Sequence, residues 1–386
     1  AHLKALGVNA VELLPLAKFA QREPPYRIRT PEGFYNDWNR YEANHWGYMT
    51  SFFLAPESYY ASDANHESGW LGYSDAAIQE LKALVDTCHR HGLTVIMDVV
   101  YNHSSIFDVN ILNDYLATRY LRFDGRGNRL NRSGTGNEID TRAEAAKRLI
   151  LDSIAMWMEE FHVDGFRFDL AGLLDPELWD EITELAKAVN PHAILIAEPW
   201  GGEYRPAQFS DHGWSSWNDQ FRNGVKGIDP KGAHGFIFSS WIPGSSRAQL
   251  ENWLRGTLRR YEGGLYHHSS HAVNYLESHD GYTLADFIRL VFRPGLRGFF
   301  EQSDDDILPL TDQELKVAKL GALALLTTPG IAMIHQGQEF ANSKICRTLD
   351  DPPHRSVFLD HNSYEKDDPT NWIDFGRMSH NATLLR

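Results

Sequence analysis

Short apolar runs alternate with amphipathic stretches along the whole chain. Val8 to Leu14, Thr94 to Val100, Val163 to Asp169, Ala193 to Ala197, Ala272 to Leu276 and Ile331 to His335 are rich in β-branched or other apolar residues. Each is short enough to be a strand buried on both faces, as in parallel sheets covered by helices. Between them, apolar positions recur at helical spacing. Ile150, Ile154, Trp157, Met158 and Phe161 share one face behind Thr141-Arg142-Ala143-Glu144, which has the form of a capping box. Leu178, Ile182, Leu185, Ala186 and Val189 form a second stripe, opened by Asp175-Pro176 and stopped at Asn190-Pro191, and Thr311-Asp312-Gln313-Glu314 caps a third helix. Repeated strand-helix units predict an α/β fold built on a parallel sheet, and no linker, repeat or low-complexity tract divides it.

Such units can build an open doubly wound sheet or a closed barrel, and the polar residues separate the two. Asp98, Asn102 and His103 follow the second strand, Arg167 and Asp169 end the third, Glu198 ends the fourth, and Glu277, His279 and Asp280 follow the fifth. In a (β/α)8 TIM barrel these strand ends converge on one face, where such enzymes place their chemistry. An open nucleotide-binding sheet would call for a glycine-rich strand-to-helix turn, and none of the known forms occurs. The expectation is a (β/α)8-barrel catalytic domain over residues 1–386.

Charge narrows the partners. The 52 acidic residues outnumber 37 basic ones among 386, a formal charge of −15, which would repel nucleic acid. The longest apolar stretch, Leu320 to Ile334, is cut by Thr327, Thr328, Pro329 and Gly330, short of the roughly 18 residues a membrane helix needs. No nucleic-acid or membrane partner is therefore expected. Cys88 and Cys346 suit core positions, having neither a disulfide framework nor metal-ligand spacing. His267-His268-Ser269-Ser270-His271 lacks acidic or cysteine partners and reads as a solvated loop, so no metal site is expected. The opening Ala1-His2-Leu3-Lys4 shows no signal peptide, and cytoplasmic and secreted locations both fit.

Candidate chemistry lies at the strand ends. Arg167 and Asp169 are two apart on a strand and so point to the same face, where the guanidinium favours the ionised carboxylate. A nucleophile or electrostatic stabiliser needs that, although a structural ion pair would look the same. Glu198 precedes Pro199 and Trp200, an apolar setting that raises a buried carboxyl's pKa, as a general acid requires. Asp280 adds a third acid beside His279. Folding alone avoids three acids on one face, but a transition state with oxocarbenium character compensates them. Trp46, Tyr48, Trp200, Trp214 and Trp217 sit in polar or glycine-rich surroundings and offer flat faces for pyranose rings; a minority are expected to touch substrate, Tyr48 first.

Taken together, Asp98-Val99-Val100-Tyr101-Asn102-His103, Gly165-Phe166-Arg167-Phe168-Asp169, Ala197-Glu198-Pro199-Trp200 and Glu277-Ser278-His279-Asp280 resemble, in order, the four signature segments of the α-amylase superfamily, glycoside hydrolase family thirteen. The resemblance implies Asp169 as nucleophile, Glu198 as general acid/base and Asp280 as transition-state stabiliser. It also implies Tyr48, Asp98, Asn102, His103, Arg167, Trp200 and His279 as substrate-binding residues. Asn44-His45-Trp46-Gly47-Tyr48, Gly281-Tyr282-Thr283-Leu284 and His335-Gln336-Gly337-Gln338-Glu339-Phe340 are closest to isoamylase- and pullulanase-type debranching enzymes. Leu3 to Pro15 looks like the second barrel strand and its lead-in, with an irregular insertion after it at about 17–73. The first strand and the flanking β-sandwich modules of that subgroup would then lie outside this chain. The activity implied by the resemblance is retaining hydrolysis of α-1,6 branch linkages in glycogen, amylopectin or pullulan. The alternatives are an α-1,4 hydrolase or chain transferase of the same fold and, more distantly, a glucan-binding scaffold. No cofactor is required; a structural calcium at Asn102 or nearby acids is left open, because the sequence fixes no ligand set.

Overall fold

Alternation of side chains along the strands decides which residues meet helices and which are left for chemistry. The computed structural model describes residues 2–21, 44–64, 75–107, 110–347 and 357–384, with the backbone of a hairpin, Arg27–Thr30 and Gly33–Asn36. The chain divides into two units, residues 1–41 with 46–215 and residues 42–45 with 216–386.

In the first unit, strands β1 (Ala10–Leu13), β4 (Thr94–Val99), β5 (Gly165–Phe168) and β6 (Ile194–Ala197) lie parallel in that spatial order, with Leu13 opposite Met97, Asp98 opposite Arg167 and Arg167 opposite Ile196. Two further strands, β2 (Ala17–Phe19) and β3 (Thr50–Pro56), pair antiparallel within the segment expected to be an irregular insertion; much of that segment, including 37–43 and 65–73, lies outside the described residues. Val95, Met97 and Val99, then Phe166 and Phe168, then Leu195 and Ala197 all enter one apolar cluster. Helices α1 (Ala76–Arg90), α2 (Glu144–Glu160) and α3 (Pro176–Val189) close that cluster with Leu81, Val85, Ile150, Ile154, Trp157, Leu178, Trp179 and Ile182. A period of two leaves Asp98 and Arg167 on the opposite face. Gly165 permits the close strand contact there, since a Cβ would stand 2.3 Å from the Ile194 carbonyl oxygen.

The capping box expected at Thr141 does not form. Helix α2 starts at Glu144 behind Ala143 without a side-chain cap, because the Thr141 hydroxyl donates to Asp175 (2.6 Å) and accepts from the Asp175 N–H (3.0 Å). Trp214 is likewise core rather than a sugar platform. It is 1% exposed, lies 4.7 Å from Phe168 between ring centroids, and its indole N–H reaches Thr183. Trp46 is also buried.

The second unit takes its sheet from β7 (Ser215–Trp217), β8 (Ala272–Asn274) and β9 (Ile331–Ala332), parallel, with Trp217 opposite Val273 and Val273 opposite Ile331. Its last two strands are shorter than the apolar runs that announced them. Helices α4 (Asp219–Val225), α5 (Leu284–Phe292) and α6 (Asp312–Thr327) pack Phe221, Leu284, Ile288, Ala318 and Leu325 around Leu276. The Thr311 capping box on α6 forms as expected. No described helix is long and apolar enough to cross a membrane. Cys346 is buried and Cys88 half-buried against the first unit's core, and the two form no disulfide.

Candidate active site

The first unit assembles its polar face around Arg167. Strand β4 presents Asp98 directly opposite, and the Arg167 guanidinium donates from Nη1 to both Asp98 oxygens (3.0 and 2.9 Å) and to Asp169 Oδ1 (3.2 Å). Its Nη2 stands 2.8 Å from Glu198 Oε1, an ion pair without hydrogen-bond alignment. The ladder continues past the strands, with the Asp169 N–H on Val99 and the Glu198 N–H on Phe168, so both acids leave from fixed main chain. Asn102 donates to Asp169 at its carbonyl and at Oδ2, each 2.8 Å. His103 faces Asn102 Oδ1 (2.5 Å) with Nδ1 and the Tyr48 carbonyl (2.8 Å) with Nε2. Tyr48 donates its hydroxyl to Asp98 (2.5 Å), and the Arg167 guanidinium carbon lies 5.6 Å from its ring centre.

Exposure ranks these groups. Asp98, Asn102 and His103 are 1 or 2% exposed and Arg167 is 0%, whereas Asp169 reaches 9% and Glu198 7%, and Tyr48 is half-buried. Asp98, Asn102 and His103, expected to touch substrate, are almost fully buried and turn polar atoms toward Arg167, Asp169 and Tyr48. Trp200 is half-buried on the loop after Glu198, its carbonyl bonded by the Gly172 N–H (2.9 Å).

Three acids around one cation leave a surplus of negative charge, and protons are the local answer. Burial pushes the Asp98 carboxyl up to about 7, Arg167 opposing and Asp169 adding. Burial also holds Glu198 well above the usual carboxyl range, against Arg167 and the Leu170 N–H and together with Asp169 and Asp98. Burial disfavours the Arg167 charge, but Asp98, Glu198, Tyr48 and Asp169 outweigh it and keep the guanidinium charged. Tyr48 stays a phenol because burial and Asp98 raise its pKa. Burial lowers that of His103, opposed by Asp169 and the Tyr48 carbonyl.

In the second unit, His279 and Asp280 sit on the turn after β8. His279 is half-buried with its ring 6.1 Å from that of Trp217, itself 2% exposed in β7. Asp280 is exposed; its main chain is tied to the Ser278 hydroxyl and its Oδ1 accepts from the Gly281 N–H (3.1 Å). Glu277, the other acid of the segment, is buried and structural: it accepts from the Leu284 N–H at the head of α5 and meets His335 Nδ1 at 3.1 Å. His267 and His268 are exposed, as expected of a solvated loop.

No protein-family model matches the chain. Isoamylase 3, chloroplastic, of Oryza sativa subsp. japonica is 33% identical over 389 residues, spanning 89% of this chain and 45% of the relative. Pullulanase of Bacillus subtilis strain 168 is 30% identical over 390 residues, 98% of this chain and 47% of that protein. Among solved structures, pullulanase from Paenibacillus barengoltzii with maltohexaose and alpha-cyclodextrin matches all of this chain and 54% of its own, with a TM-score of 0.77 at 27% identity. The chain is similar to isoamylases and pullulanases. Its fold is pullulanase-like, the partial (β/α)8 barrel that the strand-end chemistry predicts. It spans about half the length of the curated relatives it matches.

Sequence reasoning missed two groups in this pullulanase-like frame. Leu170, directly after Asp169, has φ +39°, a left-handed conformation that costs a non-glycine residue about 1 to 3 kcal/mol, and its N–H holds Glu198 Oε2 at 2.6 Å. No sequence pattern announces a strained leucine. Glu12 on β1 pairs in register with Ile96, hence on the Asp98 side, and burial with Asp98 pushes its carboxyl up to about 7 against Arg167. A lone acid within Ala10-Val11-Glu12-Leu13-Leu14 was the available signal.

Proposed function

We propose that this chain carries the catalytic apparatus of a retaining glycoside hydrolase that opens α-1,6 branch linkages in α-glucans. The observation that carries the reading is the surplus of carboxyl groups around Arg167, with Asp169 and Glu198 the less deeply buried of the three that contact it. Sequence likeness to isoamylases and pullulanases, with structural likeness to pullulanases bound to malto-oligosaccharides, supports it.

Asp169, aligned by Arg167 on one oxygen and Asn102 on the other, attacks the anomeric carbon as a carboxylate. The glycosidic C–O bond breaks as Glu198, kept protonated by burial and its acidic neighbours, gives its proton to the leaving oxygen. Water then attacks the glycosyl ester with Glu198 as base, which restores both groups and keeps the anomeric configuration. One guanidinium touching both acids favours the close carboxyl spacing of retaining enzymes, about 5 to 5.5 Å, over the wider inverting one. Tyr48 would stack against the ring and Trp200 lie along the chain, while Asp280 and His279, in the second unit, keep the stabilising and substrate-binding roles that the family resemblance assigns them. Activity is highest at mildly acidic to neutral pH, and its alkaline limb follows loss of the Glu198 proton.

The test is product analysis on pullulan beside linear amylose, with protein expressed in its full reading frame and Asp169→Asn as blank. Maltotriose from pullulan with amylose untouched is the expected result. Panose from pullulan or short maltodextrins from amylose would reassign the chain to α-1,4 cleavage. Binding without turnover on these and on glycogen would make it a scaffold.

A further inference from the structure

Asp280 is exposed, yet the turn that carries it is held from beneath by a buried cation. Lys344 is 3% exposed, and its ammonium donates to the carbonyls of His279 and, at 3.1 Å, Gly281, the two residues flanking Asp280. We propose that Lys344 is a positioning residue for Asp280, tying the two carbonyls into one frame and so fixing the direction in which the carboxyl projects. This rests on the hydrolase reading, which gives Asp280 the role of transition-state stabiliser.

The frame is braced from both ends. The Lys344 N–H donates to Asp286 Oδ2 (2.8 Å) and the Ser343 hydroxyl to Asp286 Oδ1 (2.5 Å), while the Lys344 carbonyl accepts from the Asp360 N–H (2.9 Å). Asp286 is itself fixed by Arg289 (2.9 Å) and by the Thr283 cap on its N–H (3.0 Å). On the far side of the turn the Gly281 N–H reaches the His361 carbonyl (3.0 Å), and Gly281 adopts φ +77°, which favours glycine. Lys344 thus has a preset origin and a preset target. A buried ammonium is costly unless paired. Here burial draws its pKa down while Glu277, Asp280, Asp286 and Asp360 hold it up, so the charge is supported by the carboxyl group it orients.

A positioning role and a merely structural one differ in what is lost. In the full-length protein, Lys344→Met should lower kcat on the branched glucan by about 10²-fold, the scale of a misplaced catalytic group, with KM changed by less than about threefold. Lys344→Arg, which restores charged donors, should recover at least about a tenth of wild-type kcat. Wild-type kcat in Lys344→Met would overturn the proposal, as would a loss that tracks the melting temperature and that arginine does not repair. Should methionine prevent folding, Lys344→Gln, with donors but no charge, reads the same split and is judged in the same way. An inert wild type would overturn the hydrolase reading together with this one, whereas an active wild type indifferent to Lys344 would overturn this inference alone.

Discussion

Each unit buries an arginine completely, and the two differ in what surrounds them. Arg289 meets one carboxylate, Asp286, and two main-chain carbonyls, Leu308 at 2.6 Å and Ala341 at 3.1 Å. Positive and negative charge balance one to one, and the remaining bonds join chain segments. Arg167 meets Asp98, Asp169 and Glu198, with Glu12 near enough to raise the acidity problem further. The first arrangement is what folding alone selects, since a buried pair persists when its charges cancel and its lone pairs are filled. The second is unfavourable until protons or an incoming positive charge relieve it. The oxocarbenium-like transition state of the proposed reaction would supply such a charge, which is why the imbalance supports the hydrolase reading.

The sharpest break in this comparison comes from neutralising Asp169, the proposed nucleophile. Asp169→Asn should abolish turnover by about 10⁴-fold or more while leaving glucan binding measurable by calorimetry. A variant that still turns over at a tenth of the normal rate would place the nucleophile elsewhere. Glu198→Gln should cost about 10²- to 10⁴-fold on natural glucan, and much less on an aryl glycoside whose phenolate leaves without a proton. Equal losses on both substrates would remove Glu198 from proton transfer. For the balanced site the readout is stability. Arg289→Met leaves Asp286 buried and unpaired, and urea unfolding should report a loss of about 3 to 5 kcal/mol. A loss below about 1 kcal/mol would mean that this pair is dispensable to the fold.

How legible these regions were depends on the range of the forces involved. Val95, Met97, Val99, Phe166 and Phe168 could be read because side-chain direction in a strand is local, and the same period put Asp98 and Arg167 on the other face. Asp169 and Glu198 could be placed because acids at the ends of apolar strands are rare without a use. Two serines between tryptophans carry no β-branched signal, and Ser215–Trp217 becomes a strand through its pairing with Ala272 and Val273. Thr141 was lost to a partner 34 residues away, and Trp214 was drawn into the core by Phe168 and Thr183. Leu170, in its left-handed conformation, lends its N–H to Glu198, 28 residues further on. In each case a partner distant in sequence, not the local pattern, decided the outcome.

Glu12 offers the smallest effect and the finest resolution, because it touches the imbalance without belonging to the attack. Its carboxyl is raised to about 7 in the folded chain from an ordinary 4.5, chiefly by burial and then by Asp98. A raised folded pKa means that the native state holds a proton the unfolded chain has released, so its stability is full below about pH 4.5 and falls as pH rises toward 7. Glutamine has the shape of the protonated acid and cannot ionise. Glu12→Gln should therefore match the wild type in urea unfolding near pH 4.5 and exceed it at pH 8 by about 1 to 3 kcal/mol. A difference independent of pH would mean that Glu12 titrates as it would in water, and the surplus of negative charge would then be confined to the three acids that contact Arg167.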